Sequence, residues 1–256
     1  FFLVWTTTPW TLPANVALAV HPDLQYCRVK DKNGDIYILL KEKFNLIKNG
    51  KIIESFLGKK LENLKYQGLF DELPEVKKSL GNYKHSVVLW DEVTAEEGTG
   101  IVHSAPGCGQ EDFILSKKLN LPVINPTDDE SKYRSGFDFL TGKLVTEVKD
   151  LIFQNLEKKG VVFKIEDYLH RYPTCWRCKS ELIFRLVDEW YISMEKIRND
   201  LIKVAKQINW IPSFGLEREL DWLENMQDWL ISKKRYWGLV LPIFECTKCG
   251  DFEVIG

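Results

Sequence analysis

Short apolar runs separated by turn residues dominate the chain up to about residue 165, a pattern of strands and not of long helices. The predicted strands are 1–5, 16–20, 26–30, 36–40, 86–90 and 100–104, with Asn33-Gly34-Asp35 and Gly81-Asn82 among the turns between them. Two helices interrupt this pattern. One begins near Gly109 and carries Asp112-Phe113-Ile114-Leu115 to about Leu119. The other covers about 146–159, with Val148, Leu151, Ile152 and Leu156 on one face and Gly160 as its stop. Strands alternating with turns, with helices set between them, predict a β-rich α+β domain whose sheet closes wholly or partly into a barrel.

Beyond about residue 165 the pattern shifts. Segment 166–192 is rich in aromatic residues, and 193–208 and 215–230 then show helical stripes through Ile197/Leu201/Val204 and Leu216/Leu220/Leu223/Met226. The predicted division is a domain over 1–166 and a smaller mixed segment over 167–256. Six of the nine tryptophans fall in the second part (Trp176, Trp190, Trp210, Trp222, Trp229 and Trp237), which is more aromatic surface than so small a segment can bury alone.

Composition narrows the class without naming it. At 256 residues, with 45% hydrophobic and 28% charged residues, the chain is globular and long enough to bury a core without disulfide staples. A net charge of −2 excludes a generally basic nucleic-acid binder, though not one that holds a strand end in a small pocket. No apolar run is long enough for a transmembrane helix, and the opening Phe1-Phe2-Leu3-Val4-Trp5 has no basic stretch before it. An internal piece of a larger protein is the expectation. Of six cysteines, Cys27 and Cys108 are isolated, while Cys175/Cys178 and Cys246/Cys249 form two C-x-x-C pairs. Each pair is half of a tetrahedral zinc site, and the two could complete one another or each lack its partner.

Two further stretches could carry chemistry. Residues 5–15 hold Thr6, Thr7, Thr8 and Thr11 beside Trp5, Trp10 and Asn15, with Pro9 and Pro13 stiffening the backbone. Such a loop presents hydroxyls and amides beside aromatic walls, as small-molecule pockets do; a β-edge with locally satisfied threonines is the plain alternative. Residues 98–113 place His103 at a strand end and Asp112 in the first turn of a helix, across a Pro-Gly loop. The pair could share one rim. Equally, Asp112 could complement the helix dipole and His103 could be a core residue.

Taken together, these stretches resemble the class I aminoacyl-tRNA synthetases, and the isoleucine-specific family among them. The 5–15 run is similar to the threonine-rich motif of their inserted editing domain, 98–113 to its second motif, Tyr172-Pro173-Thr174-Cys175-Trp176-Arg177-Cys178 to the knuckle that follows, and 228–238 to the return into the catalytic half. His103 is the branch-selective residue: the isoleucine enzymes have His there, the valine enzymes Lys and the leucine enzymes Met. The resemblance implies an editing deacylase that hydrolyses valine misattached to the isoleucine tRNA, and leaves the valyl adenylate open as a second substrate. Thr7, Thr8, Asn15, His103 and Asp112 would be its working residues, and Thr6, Trp10 and Thr11 would join His103 and Asp112 around the substrate. In that scheme Asp112 holds the α-ammonium, Thr7, Thr8 and Asn15 orient the water, and Trp10 with the Thr6–Thr8 backbone forms the excluding wall.

It also implies a tRNA acceptor end and the rest of the synthetase as partners, a cytoplasmic monomer with no membrane, zinc on Cys175, Cys178, Cys246 and Cys249, and ATP bound only by the catalytic domain. Two departures stand out: Cys108 replaces a His or aromatic residue, and Lys233-Lys234 replaces Arg-Gln. The HIGH and KMSKS signatures are absent from these residues, so these residues alone are not expected to activate an amino acid. Two rival readings remain open at this level: a non-catalytic zinc-knuckle module binding RNA or protein, and a thiol hydrolase pairing Cys108 with His103.

Overall fold

A computed structural model describes residues 1–96, 98–232 and 240–255. The chain divides into two compact units, Phe1–Leu186 and Val187–Gly256, so the composition shift near residue 166 falls inside the first.

The first unit is built from two three-stranded sheets. In one, β1 (Ala17–Val20) lies between β5 (Ser86–Leu89), to which it is parallel, and β6 (Val102–Ser104), to which it is antiparallel. In the other, β2 (Gln25–Lys30) is the centre of an antiparallel set with β3 (Ile36–Leu40) and β4 (Lys51–Leu57). All four residues of β1 are buried because both of its faces are covered. Ala17 and Ala19 pack under the helices α1 (Pro74–Leu80), α2 (Gln110–Leu119) and α3 (Lys149–Lys158) through Val76, Leu115, Ile152 and Leu156. Leu18 and Val20 face the second sheet through Tyr26, Ile38, Leu40 and Phe56. Two small alanines on the helix side and two branched residues on the sheet side suit a strand caught between layers.

The expected closed or partly closed barrel is therefore not what forms: the sheets are small, face one another and do not close. Residues 1–5 explain part of the difference. They run extended, but bridge β3 at Phe2↔Ile38 and β6 at Trp5↔Val102, one contact to each sheet, so no continuous ladder develops. Tyr26 ties the layers further, its hydroxyl donating to the Gly100 carbonyl at 2.7 Å while accepting from the His21 N–H at 3.1 Å.

The other predicted strands appear within one or two residues of their expected limits, and α2 and α3 form where periodicity placed them. In the first unit one strand and one α-helix were not predicted. β4 lacks alternation, with Ile52 and Ile53 both exposed, and α1 is only two turns long although Pro74 at its start and Gly81 at its end mark it.

In the second unit the predicted helices shorten to α4 (Arg198–Ala205) and α5 (Gly215–Asn225). The guanidinium of Arg198 takes the carbonyls of Leu223, Glu224 and Met226, capping α5 before the predicted end. The chain then turns, and β8 (Trp229–Leu230) pairs with β7 (Tyr191–Ile192). A hairpin of β9 (Ile243–Glu245) and β10 (Phe252–Val254) carries Cys246 and Cys249 in its turn. Among the described residues no helix is long and apolar enough to cross a membrane.

Candidate functional site

The threonine-rich run leaves residues 1–5 and winds into a 3-10 turn, Pro9–Ala14, that feeds β1. Pro9 has the right φ to open such a turn. Within it the Thr8 N–H donates to Thr6 Oγ1 at 3.1 Å and the Thr11 hydroxyl donates to the Thr8 carbonyl at 2.8 Å. Among the described residues Thr7 makes no hydrogen bond, leaving its half-buried hydroxyl available.

β6 brings His103 to this turn. Its Nε2 lies 2.7 Å from Thr11 Oγ1 and its Nδ1 3.4 Å from Asn15 Nδ2. The donors can be assigned. Asn15 Nδ2 also faces the Ala17 carbonyl at 2.9 Å, and Asn15 Oδ1 accepts from the Tyr66 hydroxyl at 2.6 Å, so the amide cannot be turned round. Asn15 then presents N–H to His103 Nδ1, the imidazole proton sits on Nε2, and Thr11 receives it. Burial pushes this imidazole down to about 4, which agrees with a neutral ring whose two nitrogens are both engaged. His103 in this arrangement turns both ring nitrogens toward protein groups, Nε2 to Thr11 and Nδ1 to the Asn15 amide.

A titration follows from that shift. Between about 4 and the ordinary 6.5 the unfolded chain binds the proton and the folded chain does not, so stability drains away as pH falls through this window. In NMR spectra the His103 ring should hold one tautomer and show no titration between pH 5 and 8.

Asp112 stands apart from this cluster. Among the described residues no hydrogen bond or ion pair joins it to His103 or to the threonines. It lies in the first turn of α2, next to Ser104 and Ala105 at the end of β6, where its Oδ1 is buried with no partner. Burial raises its carboxyl above the ordinary value, drawn back in part by the nearby Ser104 hydroxyl and Ala105 N–H. Gly109 makes the fold-back possible, because a Cβ there would sit 2.3 Å from Asp112 Oδ2. Gly107 likewise lets the loop pass the Ile124 carbonyl, 1.9 Å from where a Cβ would stand. A buried oxygen of this kind costs free energy unless a donor reaches it, and the neighbouring Ser104 Oγ is likewise buried without a partner.

The remaining predicted residues separate clearly. Trp10 is a core residue, 9% exposed, its carbonyl accepting from the Tyr133 hydroxyl. Asn15, 8% exposed, has both ends of its amide on protein partners and braces His103 instead of facing a water. Cys108 is poorly suited to nucleophilic attack, since burial and the nearby Asp112 push its thiol well up, and His103 has no nitrogen to offer it. Tyr66, which locks the Asn15 amide, was not legible in the sequence; it lies 51 residues from Asn15 in a stretch with no motif.

The cysteine pairs form two copies of one tight turn. The Cys175 N–H donates to the Ser180 carbonyl and the Lys179 N–H to the Cys175 carbonyl; Cys246, Asp251 and Gly250 repeat the arrangement. Lys179 and Gly250 occupy the same left-handed position, φ 63° and 73°. Hydrogen bonding from Ser180 draws the Cys178 thiol down to about 7, and the Lys248 N–H lowers Cys246. Each turn thus offers two thiols suited to a soft metal, but the fit is half of a site: among the described residues no group of three or more His, Cys, Asp or Glu is assembled. Lys233-Lys234, Trp237 and the Arg-Tyr-Trp-Gly segment lie outside the described residues.

Residues 9–255 match the tRNA synthetases of class I (I, L, M and V), and the chain belongs to that family. Within it, the chain is 40% identical over 271 residues to the isoleucine–tRNA ligase of Methanocaldococcus jannaschii and 40% identical over 267 residues to that of Archaeoglobus fulgidus, aligning over 100% of itself and 26% of each relative. It therefore spans about a quarter of the length of the curated relatives it matches. Among solved structures, one titled GlLeuRS-CP1 is similar in fold with a TM-score of 0.51 at 13% identity, over 66% of this chain and 84% of that one.

Proposed function

We propose that this chain is the proofreading part of an isoleucine–tRNA ligase and hydrolyses the ester of valine misattached to the isoleucine tRNA. The need is general: one methylene discriminates isoleucine from valine only about 150-fold in a synthetic site, so a second, smaller site must remove the error. The observation that carries the reading is the buried, unpartnered oxygen of Asp112, which the valyl α-ammonium would satisfy. The Thr7 hydroxyl is the group free to orient a water at the ester carbonyl, and His103, fixed as a neutral donor to Thr11, shapes the pocket beside the terminal ribose. Water adds to the carbonyl and the ester C–O bond breaks. Valine leaves as the free acid and the tRNA hydroxyl is restored. With both histidine nitrogens turned toward protein groups, the proton route runs through substrate hydroxyls and solvent, so positioning supplies the rate.

The test is deacylation by the purified chain of valyl- and isoleucyl-tRNA carrying the isoleucine anticodon. Hydrolysis of the first and sparing of the second is expected; equal inertness to both would overturn the reading. Hydrolysis of valyl adenylate in the same pocket, a cytoplasmic monomer, and ATP held by the remainder of the synthetase belong to the same proposal. Zinc would be held by Cys175 and Cys178 and by Cys246 and Cys249, each pair completed by donors outside its own turn, and would stiffen the knuckles.

A further inference from the structure

Tyr66 lies outside both sequence motifs, yet it is the outer anchor of the hydrogen bonds that hold His103. Its hydroxyl meets Asn15 Oδ1 at 2.6 Å. Asn15 reaches His103, and His103 reaches Thr11 in the threonine turn. Every link has one direction: the phenol donates to the amide oxygen, the amide N–H faces Nδ1, the ring N–H on Nε2 donates to Thr11, and the Thr11 hydroxyl donates to the Thr8 carbonyl. The Ala17 carbonyl at 2.9 Å and the Ser104 carbonyl at 3.4 Å fix which end of the Asn15 amide carries the N–H, and the Tyr66 hydroxyl holds the other end. Burial pushes the Tyr66 phenol far above its ordinary value, so it stays a donor across the working pH range.

Tyr66 is itself held. Its ring lies against His85 with centroids 5.0 Å apart and meets Phe2 edge-on. Both nitrogens of His85 face acceptors, Asp71 Oδ1 at 2.8 Å and the Val16 carbonyl at 3.0 Å, and Asp71 is fixed in turn by the Gly68 N–H at 2.9 Å. Val16 lies between Asn15 and the start of β1, so the same braces fix the backbone and the side chain on which His103 rests. A cleft of about 370 Å³, lined by Tyr66, Asp71, Lys77, Tyr83 and His85 among others, opens this brace to solvent.

We infer that Tyr66 is a positioning residue for the editing reaction, holding the Asn15 amide in place against His103 and so the orientation of the ring; this rests on the proposed function above. Tyr66→Phe removes the hydroxyl and keeps the ring on His85. The expected result on valyl-tRNA is a fall in kcat of about 10- to 100-fold with KM unchanged, since groups that touch the tRNA remain. In the same variant the His103 ring signals, followed by 15N NMR, should shift as the Asn15 amide loses its outer anchor, with Nε2 still the protonated nitrogen.

The outcomes separate the two claims. If the wild-type chain leaves valyl-tRNA intact, the editing function fails, while the NMR comparison still tests the positioning chain. If the wild type hydrolyses it and Tyr66→Phe matches it in kcat with an unchanged His103 spectrum, the positioning role is wrong. Should Tyr66→Phe not fold, the wild-type spectrum alone decides, because a His103 ring protonated on Nδ1 contradicts the directions assigned here.

Discussion

Replacing Asp112 by Asn should abolish hydrolysis of valyl-tRNA, a loss of at least about 100-fold, and should at the same time make the protein more stable at neutral pH. Under the proposed function, the activity loss follows from removing the anionic partner of the substrate's ammonium, where breaking a buried pair costs roughly 3–5 kcal/mol. The stability gain follows from the direction of the Asp112 shift. Its folded carboxyl is raised above the ordinary 3.8, so on raising pH the unfolded chain ionises first and the folded chain carries the desolvation penalty. That penalty is present at pH 7 and vanishes on acidification to below 3.8. Thermal melts of the two proteins should therefore differ at pH 7, in favour of the variant, and converge near pH 3. A variant that melts lower than wild type at pH 7 would mean that Asp112 serves the helix and not a ligand.

Trp10→Ala should cost roughly 3–5 kcal/mol of stability, the usual range for emptying a large aromatic site in a core. As a wall residue, Trp10 would have been expected to relax size selection when shortened. Its placement predicts something else. It is 9% exposed, lies in the cluster that joins β1 to the helices, and its backbone carbonyl receives the hydroxyl of Tyr133, itself 1% exposed. Urea denaturation reads the difference: a large drop in midpoint for Trp10→Ala and a smaller one for Trp10→Phe. A Trp10→Ala protein of wild-type stability that now cleaves isoleucyl-tRNA would return the residue to the wall.

Much of this site was legible in the chain, but only at the level of which residues are present. Thr6, Thr8, Thr11, Asn15 and His103 belong to two motifs, and the structure joins them by hydrogen bonds through the pairing of β1 with β6. Their roles were less legible. Nothing in local spacing says that Asn15 has both amide ends on protein atoms, since one partner is Tyr66, 51 residues away. The barrel expectation failed for a similar reason. Alternation reports that a strand has a buried face, and β1 is buried on both, so the pattern could not tell two stacked sheets under helices from a sheet closing on itself.

Local chemistry in the chain determined the knuckle turns, the two motif loops and the main helices. Cysteine spacing, proline and glycine placement, and 3.6-residue periodicity all act over a few residues. Tertiary structure alone decided which way each donor points, that His103 is neutral and occupied, that Trp10 is core, and that one oxygen of Asp112 is left without a partner. Hydrogen-bond direction and desolvation depend on groups brought together from distant parts of the chain, and only packing brings them into contact.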